Sequence, residues 1–282
     1  MNEMYNVGII ADMNYDLSPA FSSYFDACKK IFKKIKIVKN INDLHDVNIL
    51  LCGNDHFWNH YTIWSDHSFI EYCNSHNIQF FVHTVEHINS PLFPQNLKIQ
   101  NDLEKYKLLR QRCWDIKDSI QKQTKIARVL LSKNNVNYRK PNEKKDKIVF
   151  VGKLYDNRKS IINELSKHIQ IDVFERGTTY FEFLSKLAEY KYVFSPKSLH
   201  VNGIPGRFYE SLWVDSIPIQ EVYSDTLDFF DKEKKIKNAI FFEGIPELLS
   251  KLNDGHFDSE IIQPKMFLED ELIDFFKDYN IL

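Results

Sequence analysis

The chain has 282 residues, a hydrophobic content of 43% and a formal net charge of −2 at pH 7. This length and this apolar content are sufficient for two domains, each with a buried core. The near-neutral charge argues against a protein whose main role is to coat nucleic acid.

Strands and helices alternate through the first half of the chain. Strands are predicted at 6–11, 35–38, 47–52 and 79–83. Helices are predicted at 19–34, 64–76 and, as one long region, 102–132, because apolar side chains recur there at helical spacing. This alternation predicts a mostly parallel, doubly wound sheet in a domain that spans 1–132.

A basic stretch at 133–147 interrupts this pattern. Six of its fifteen residues are Lys or Arg, few are apolar, and Pro141 ends any helix there. We interpret the stretch as a linker between two domains. An exposed loop within a single domain is the alternative.

The alternation begins again after the basic stretch and predicts a second domain at 148–262. Its strands are predicted at 147–152, 171–174, 192–195 and 239–242, and its helices at 158–168, 180–189 and 245–252. A last helix, at about 266–279 within the C-terminal segment 263–282, carries an apolar stripe that must be buried.

Cysteines and terminal segments indicate the compartment. The four cysteines are widely spaced and form no C-x-x-C pair, so the sequence predicts neither a zinc site nor a redox motif. We expect free, buried thiols in a reducing compartment. The N-terminal apolar run is too short for a signal peptide, and no apolar stretch has the length of a membrane span, so a cytoplasmic protein is expected.

The stretch 202–219, NGIPGRFYESLWVDSIPI, carries the clearest functional pattern. Arg207 and Glu210 are three residues apart on a predicted helix and therefore share one face. Gly203 and Gly206 allow close approach of the backbone to a ligand, and a helix N-terminus attracts anions. The planar fork of arginine suits a diphosphate, and a glutamate can accept hydrogen bonds from ribose hydroxyls. An ordinary surface ion pair is the alternative interpretation.

This stretch resembles the donor-site motif of GT-B glycosyltransferases, in particular the exostosin-like and spore-coat-like (group 1-type) branch. The matching residues are Arg207, Phe208, Glu210, Leu212, Ile217, Pro218 and Ile219. The glycine that the family carries in the middle of this run is absent here, where residues 214–216 fill the turn. The resemblance implies two Rossmann-like domains facing across a cleft, with a C-terminal helix that crosses back to the N-terminal domain. It also implies transfer from a nucleotide diphosphate sugar without a metal or a cofactor.

The same resemblance implies further donor-binding residues. Lys153 and Arg158, in the loop 152–159, would neutralise the leaving diphosphate. Gly177 would allow close approach of the nucleotide base, and Tyr180 would stack on it. Lys197 or Ser198, in the segment FSPKS, would contact phosphate, and Gly206 would allow the backbone to approach the donor closely. A solvated basic turn is the alternative for the first of these loops.

An inverting transferase needs a general base for the acceptor hydroxyl, normally an acidic residue or histidine of the N-terminal domain. We favour Asp55 and Glu86, which follow predicted strands and lie beside histidines. The other candidates after strands are Asp12, Asp16, His56 and His87. Asn202 stands where many retaining members carry a glutamate, which favours an inverting reaction.

The leading hypothesis is a glycosyltransferase that acts on a glycan, lipid or protein glycoconjugate. A phage or viral enzyme that glycosylates a DNA base is a second hypothesis, because the family resemblance includes small GT-B enzymes of phages with AT-biased sequences. Such an enzyme needs a basic cleft, for which the linker 133–147 and the basic residues at 105–128 are the candidates. Solvated helix faces are the alternative for these residues. A sugar-nucleotide epimerase and a non-catalytic sugar-nucleotide binder would share the donor site. Transfer, an epimerised donor and an unchanged donor are the products that separate these hypotheses.

Overall fold

The fold was examined in a computed structural model of the chain. It describes residues 2–10, 20–53, 60–84, 96–121, 123, 128, 130–175, 179–197, 202–223, 239–253 and 266–282. The chain divides into two compact units. Unit 1 comprises 1–135, 200–202 and 266–282, and unit 2 comprises 136–199 and 203–265.

Unit 1 contains a parallel sheet of five strands in the order β2-β1-β3-β4-β5. The strands are β1 Asn2–Ile10, β2 Phe32–Ile37, β3 Ile49–Cys52, β4 Gln79–Thr84 and β5 Leu109–Cys113. Its helices are α1 Ala20–Ile31, α2 Tyr61–Trp64, α3 His67–Ser75, α4 Asn96–Leu103, α5 Ile116–Gln121 and α10 Leu268–Asp278, with 3₁₀ turns at Ile41–Leu44 and Lys133–Asn135. Strand β3, ILLC, is buried throughout, which is typical of a parallel strand covered on both faces.

Aromatic side chains fill both faces of the unit 1 sheet. Trp64 and Phe80 belong to a core on one face. On the other face, Phe275 and Phe276 of α10 pack edge-on against Phe81 and Phe32, with ring centroids 5.1 and 5.0 Å apart. The C-terminal helix is therefore an integral part of unit 1.

Unit 2 repeats the same strand order, β10-β9-β8-β6-β7, again with parallel pairing. Its strands are β6 Lys145–Val151, β7 Ile171–Phe174, β8 Tyr190–Ser195, β9 Ile217–Glu221 and β10 Ile240–Phe242. Its helices are α6 Asp156–Leu165, α7 Tyr180–Ala188, α8 Gly206–Trp213 and α9 Ile245–Asn253. Two apolar cores, one on each face, complete the layers. The predicted α/β class with two Rossmann-like units is confirmed.

One predicted element is wrong. The region 102–132 is not a long helix, because it contains the edge strand β5 and the short helix α5. The strand carries Arg110 and Arg112, which is unusual for a buried sheet and resembles an amphipathic helix in the sequence. Arg112 is buried because it forms ion pairs with Glu271 and Asp278 of α10, about 160 residues further along the chain. No local pattern reveals such a pairing.

Residues of the stretch 133–147, predicted as a linker, make specific contacts. Val136 and Tyr138 pack against the core of unit 2, and Lys145–Lys147 are the first residues of β6. Lys144 donates hydrogen bonds to the carbonyls of Ala188 and Val214, at 2.8 and 2.9 Å. These carbonyls lie at the C-terminal ends of α7 and α8, where a cation is favourable.

Replacing Lys144 with methionine should lower the free energy of unfolding by about 2–3 kcal/mol. The substitution keeps the apolar stem but leaves carbonyls at two helix ends without their charged donor. Urea denaturation of both proteins measures the loss. Lys140→Met, at an exposed lysine of the same stretch, is the matched control and should change the stability by less than about 0.5 kcal/mol. Equal effects of the two substitutions would contradict the capping role.

Within the described part of the chain, no helix has both the length and the apolar character that crossing a membrane requires.

Candidate functional site

The carboxyl ends of β6 and β8 form the natural ligand-binding edge of unit 2. After β6 the chain passes to one side of the sheet, to β7, and then returns to the other side, to β8. The two strands thus flank a topological switch point, where open α/β sheets bind their ligands. Gly152 follows β6 directly, and Lys197 follows β8 by two residues. Two of the loops that carry predicted donor residues therefore begin at this edge.

Arg207 lies against the backbone of Gly152. A Cβ atom at Gly152 would lie 2.7 Å from Arg207 Nη2, and the φ of Gly152 is +152°, which side-chain-bearing residues rarely adopt. The Arg207 Cζ atom is 5.0 Å from the ring centroid of Phe150 and 5.8 Å from that of Phe183. These rings and the bare glycine backbone hold the guanidinium at the switch point. Sequence reasoning predicted Arg207 and the loop 152–159, which begins at Gly152, as parts of the donor site, but not the contact between them.

Helix α8 places Glu210 one turn after Arg207. The helix begins at Gly206, and its N-cap, Pro205, provides no side-chain cap. The hydroxyl of Tyr180 donates a hydrogen bond to Glu210 Oε1. Tyr180 is the first residue of α7, which begins with a capping box between Thr179 and Glu182. The carboxylate of Glu210 is therefore oriented by a residue of a neighbouring helix.

The loop after β6 contains two of the predicted phosphate-binding cations. Lys153 is exposed to solvent. Arg158 is half-buried, and its Nη1 donates to the carbonyl of Lys153 at 3.3 Å. Its Cζ atom lies 5.1 Å from the ring centroid of Tyr155. Burial lowers the pKa of Arg158, and Tyr155 partly opposes this effect. The two cations thus differ, since Lys153 extends into solvent while Arg158 packs onto its own loop.

Lys197 is paired with an acidic residue that sequence reasoning missed. Its Nζ lies 3.5 Å from Glu221 Oε1, and its backbone N–H donates to Glu221 Oε2 at 3.2 Å. The Nζ atom also lies 4.5 Å from the ring centroid of Tyr223. Glu221 is the last residue of β9, so the acidic residue that ends the strand IPIQE was the available signal. A phosphate would have to compete with this carboxylate for Lys197.

Two buried polar side chains lie at the same edge and were also missed. Ser195 and Gln220 are opposite each other in the ladder between β8 and β9, and both are fully buried. Among the described residues, neither Ser195 Oγ nor Gln220 Oε1 has a hydrogen-bond partner. Polar residues at the ends of otherwise apolar strands were the signal in the sequence. Such atoms are costly to leave unpaired, which marks this edge as unusually polar for a sheet interior.

Several predicted residues lie outside the described residues: Asp12, Asp16, Asp55, His56, Glu86, His87, Gly177 and Ser198.

In unit 1, Asn202 is buried and is bound at its backbone. Its N–H donates to Asp115 Oδ2 at 2.7 Å, and its carbonyl accepts from the N–H of Ile116 at 2.7 Å. These contacts give the backbone at position 202 a structural role.

A buried histidine lies at the end of β4 in unit 1. The hydroxyl of Tyr24 is hydrogen-bonded to His83 Nδ1, and the ring of Phe275 lies 5.0 Å away between centroids. Among the described residues, His83 Nε2 has no hydrogen-bond partner. Burial, and then the charge of Arg112, lower the pKa of His83 to about 3. An imidazole with so low a pKa is a weak base, so it is poorly matched to general-base catalysis near neutral pH.

The Tyr24 ring also explains a glycine at the end of β3. A Cβ atom at Gly53 would lie 2.2 Å from the Tyr24 ring. Only a residue without a side chain fits there, so this glycine serves packing.

Within the described residues, no cluster of three or more His, Cys, Asp or Glu side chains could hold a metal ion.

No family model and no curated protein matches the chain. Among solved structures, the chain is similar to the DNA-modifying enzyme β-glucosyltransferase, crystallised with and without its substrate uridine diphosphoglucose. That match has 11% identity, covers 97% of this chain and 93% of that chain, and has a TM-score of 0.48. A second is NAD⁺-bound 3-phosphoglycerate dehydrogenase of Entamoeba histolytica, with 10% identity, 98% and 97% coverage and a TM-score of 0.28. At these values, any functional argument must come from the residues of this chain.

Proposed function

We propose that this protein is a glycosyltransferase that moves a sugar from a nucleotide diphosphate sugar to an acceptor hydroxyl. The observation that carries the proposal is the contact between Arg207 and Gly152 at the switch point of unit 2. An arginine fork held there by a bare glycine backbone and two aromatic rings is pre-organised for an anion with several oxygens. A diphosphate is such an anion.

Each donor residue then has a chemical role. Arg207 binds the diphosphate through paired N–H groups and stabilises the negative charge that grows as the glycosidic bond breaks. Lys153, exposed in the adjacent loop, adds a mobile positive charge. Glu210, oriented by Tyr180, accepts hydrogen bonds from the ribose hydroxyls. These cations would perform the work that a metal ion performs in other transferases, so we propose a metal-independent reaction without a cofactor.

For the acceptor half of the reaction, we propose an inverting mechanism with Asp55 or Glu86 as the general base. Asp55 follows β3 and Glu86 follows β4 in the sequence, each within three residues of the strand end. In the parallel sheet of unit 1, the carboxyl end of β3 borders that unit's own switch point, between β1 and β3. Because its sequence position follows β3, we propose Asp55 ahead of Glu86 as the base.

A glycan, lipid or protein glycoconjugate is the acceptor class that we favour over DNA. Several of the basic residues at 105–128 that suggested a nucleic-acid surface are already paired. Arg112 and Arg128 form ion pairs with Glu271, and Lys105 pairs with Asp102. Cations paired in this way are partly neutralised, so they attract a phosphate backbone less strongly than free ones.

Product analysis tests the function. The protein is incubated with UDP-, GDP-, ADP- and TDP-sugars and with CMP-linked sugar, each with glycan, lipid or duplex DNA acceptors, and the products are identified by mass spectrometry. The proposal predicts a glycosylated acceptor and one equivalent of free nucleotide. Labelled DNA would establish the second acceptor class. An epimerised donor, or donor that is bound but unchanged with every acceptor, would refute sugar transfer.

A further inference from the structure

Tyr155 is the most solvent-exposed aromatic side chain among the described residues of unit 2, with 57% exposure. It lies between β6 and α6 and is the N-cap of α6, to which its side chain gives no capping bond. The adjacent Leu154 is 40% exposed. Two adjacent large side chains are thus exposed beside the candidate site.

The guanidinium of Arg158 lies over the Tyr155 ring, with 5.1 Å between Cζ and the ring centroid. A hydrogen bond from Arg158 Nη1 to the Lys153 carbonyl fixes this arrangement. One face of the ring is thus covered by a cation, and the residue is still 57% exposed, which leaves surface for a second planar group. Arginine and tyrosine together form a common platform for stacked bases.

The platform is close to the proposed diphosphate site. Tyr155 is three residues from Gly152, which places the two backbones within about 11 Å of each other. A nucleoside diphosphate carries its base one ribose away from the phosphates, so a base can reach this ring while the diphosphate contacts Arg207. The nearby positive charges of Lys153 and Lys159 also favour an anionic ligand. Tyr180, the base-stacking residue predicted from the sequence, instead has its hydroxyl bound to Glu210 and its ring against Phe183.

We propose that the ring of Tyr155 stacks on the base of the donor nucleotide, between that base and Arg158. This inference rests on the proposed function, because it names the residue that would bind the base at the same donor site. Stacking on an aromatic ring accepts any base, so Tyr155 would provide affinity for nucleotides and leave the choice among bases to other contacts.

The test compares ligands with and without a base. Calorimetry measures the binding of UDP, GDP and inorganic pyrophosphate to the wild type, Tyr155→Ala, Tyr155→Phe and the matched control Leu154→Ala. We expect Tyr155→Ala to weaken both nucleoside diphosphates by about tenfold or more and to leave pyrophosphate binding unchanged. The affinities of Tyr155→Phe and Leu154→Ala for the nucleoside diphosphates should stay within about threefold of the wild-type values, because both variants retain an aromatic ring at position 155.

Two failures are distinguishable. In the first, the wild type binds pyrophosphate and both nucleotides, and Tyr155→Ala either binds all three as tightly or loses affinity for pyrophosphate as much as for the nucleotides. Stacking at Tyr155 is then refuted, and the donor site stands. If the wild type binds none of the three ligands, the donor site itself is refuted, and the stacking role falls with it.

Discussion

Replacing Glu271 with alanine is expected to lower the free energy of unfolding by about 3–5 kcal/mol. The Glu271 side chain is 2% exposed, and it binds Arg112 Nη1 at 2.6 Å and Arg128 Nη1 at 3.2 Å. The Arg112 side chain is 5% exposed. Removing the carboxylate takes one acidic partner from the buried guanidinium of Arg112, which keeps its ion pair with Asp278. The loss of one partner from a buried ion pair is among the most destabilising changes in a protein. Urea or guanidinium denaturation gives the value.

Two further variants separate the charge from the volume of the side chain. Asp270→Ala removes an exposed carboxylate from the same first turn of α10, and we expect a change of less than about 1 kcal/mol. The double variant Glu271→Met with Arg112→Met replaces both charges by apolar groups and should recover much of the lost stability. A single Glu271→Ala variant as stable as Asp270→Ala would show that the ion pairs contribute nothing.

The second large effect is a loss of stability in acid that depends on His83. In the folded protein its pKa is about 3, whereas an unfolded histidine titrates near 6.5. Between these values the unfolded state binds a proton that the folded state does not, so stability is complete above pH 6.5 and falls as the pH decreases. The slope of this contribution is about 1.4 kcal/mol for each pH unit.

Stability curves from pH 7.5 to 4.5 for the wild type and His83→Phe measure this contribution. As the pH is lowered, the wild type should lose stability more steeply than His83→Phe. Between pH 6 and 4.5, the slopes of the two curves should differ by the equivalent of about one bound proton. Because phenylalanine also removes the bond to Tyr24, the slope and not the absolute stability is compared. NMR titration of the imidazole in the wild type is an independent readout, and a ring that becomes protonated near pH 6 would contradict a buried, neutral His83.

The sequence was informative where local pattern and local chemistry coincide. Most strands and helices follow from apolar periodicity, and the spacing of Arg207 and Glu210 on one helix is a local property that α8 reproduces. The glycine after β6 was also visible in the sequence, as the residue that follows an apolar strand. The contact of this glycine with Arg207 was not visible, because Arg207 reaches Gly152 only when β6 and β8 become neighbours in the sheet.

Non-local pairing accounts for what the sequence did not predict. Strand β5 carries two arginines, and only the acidic residues of α10, far along the chain, make Arg112 compatible with burial. Lys144 was interpreted as part of a solvated linker because nothing near it shows the helix ends that it caps. Glu221 was overlooked for the same reason. It ends β9, whereas its partner Lys197 lies in the loop after β8, 24 residues earlier in the chain.

The most direct test of the donor site is calorimetric titration of UDP, GDP, ADP, TDP and CMP into the wild type, Arg207→Gln and Lys191→Gln. Lys191 is a cation at the opposite, amino edge of the same sheet, where it pairs with Asp146, and serves as the matched control. We expect at least one nucleoside diphosphate to bind the wild type and Lys191→Gln equally. It should bind Arg207→Gln about 30-fold more weakly, because charged hydrogen bonds are lost. Equal binding to all three proteins, or no binding to any, would contradict a diphosphate site at Arg207.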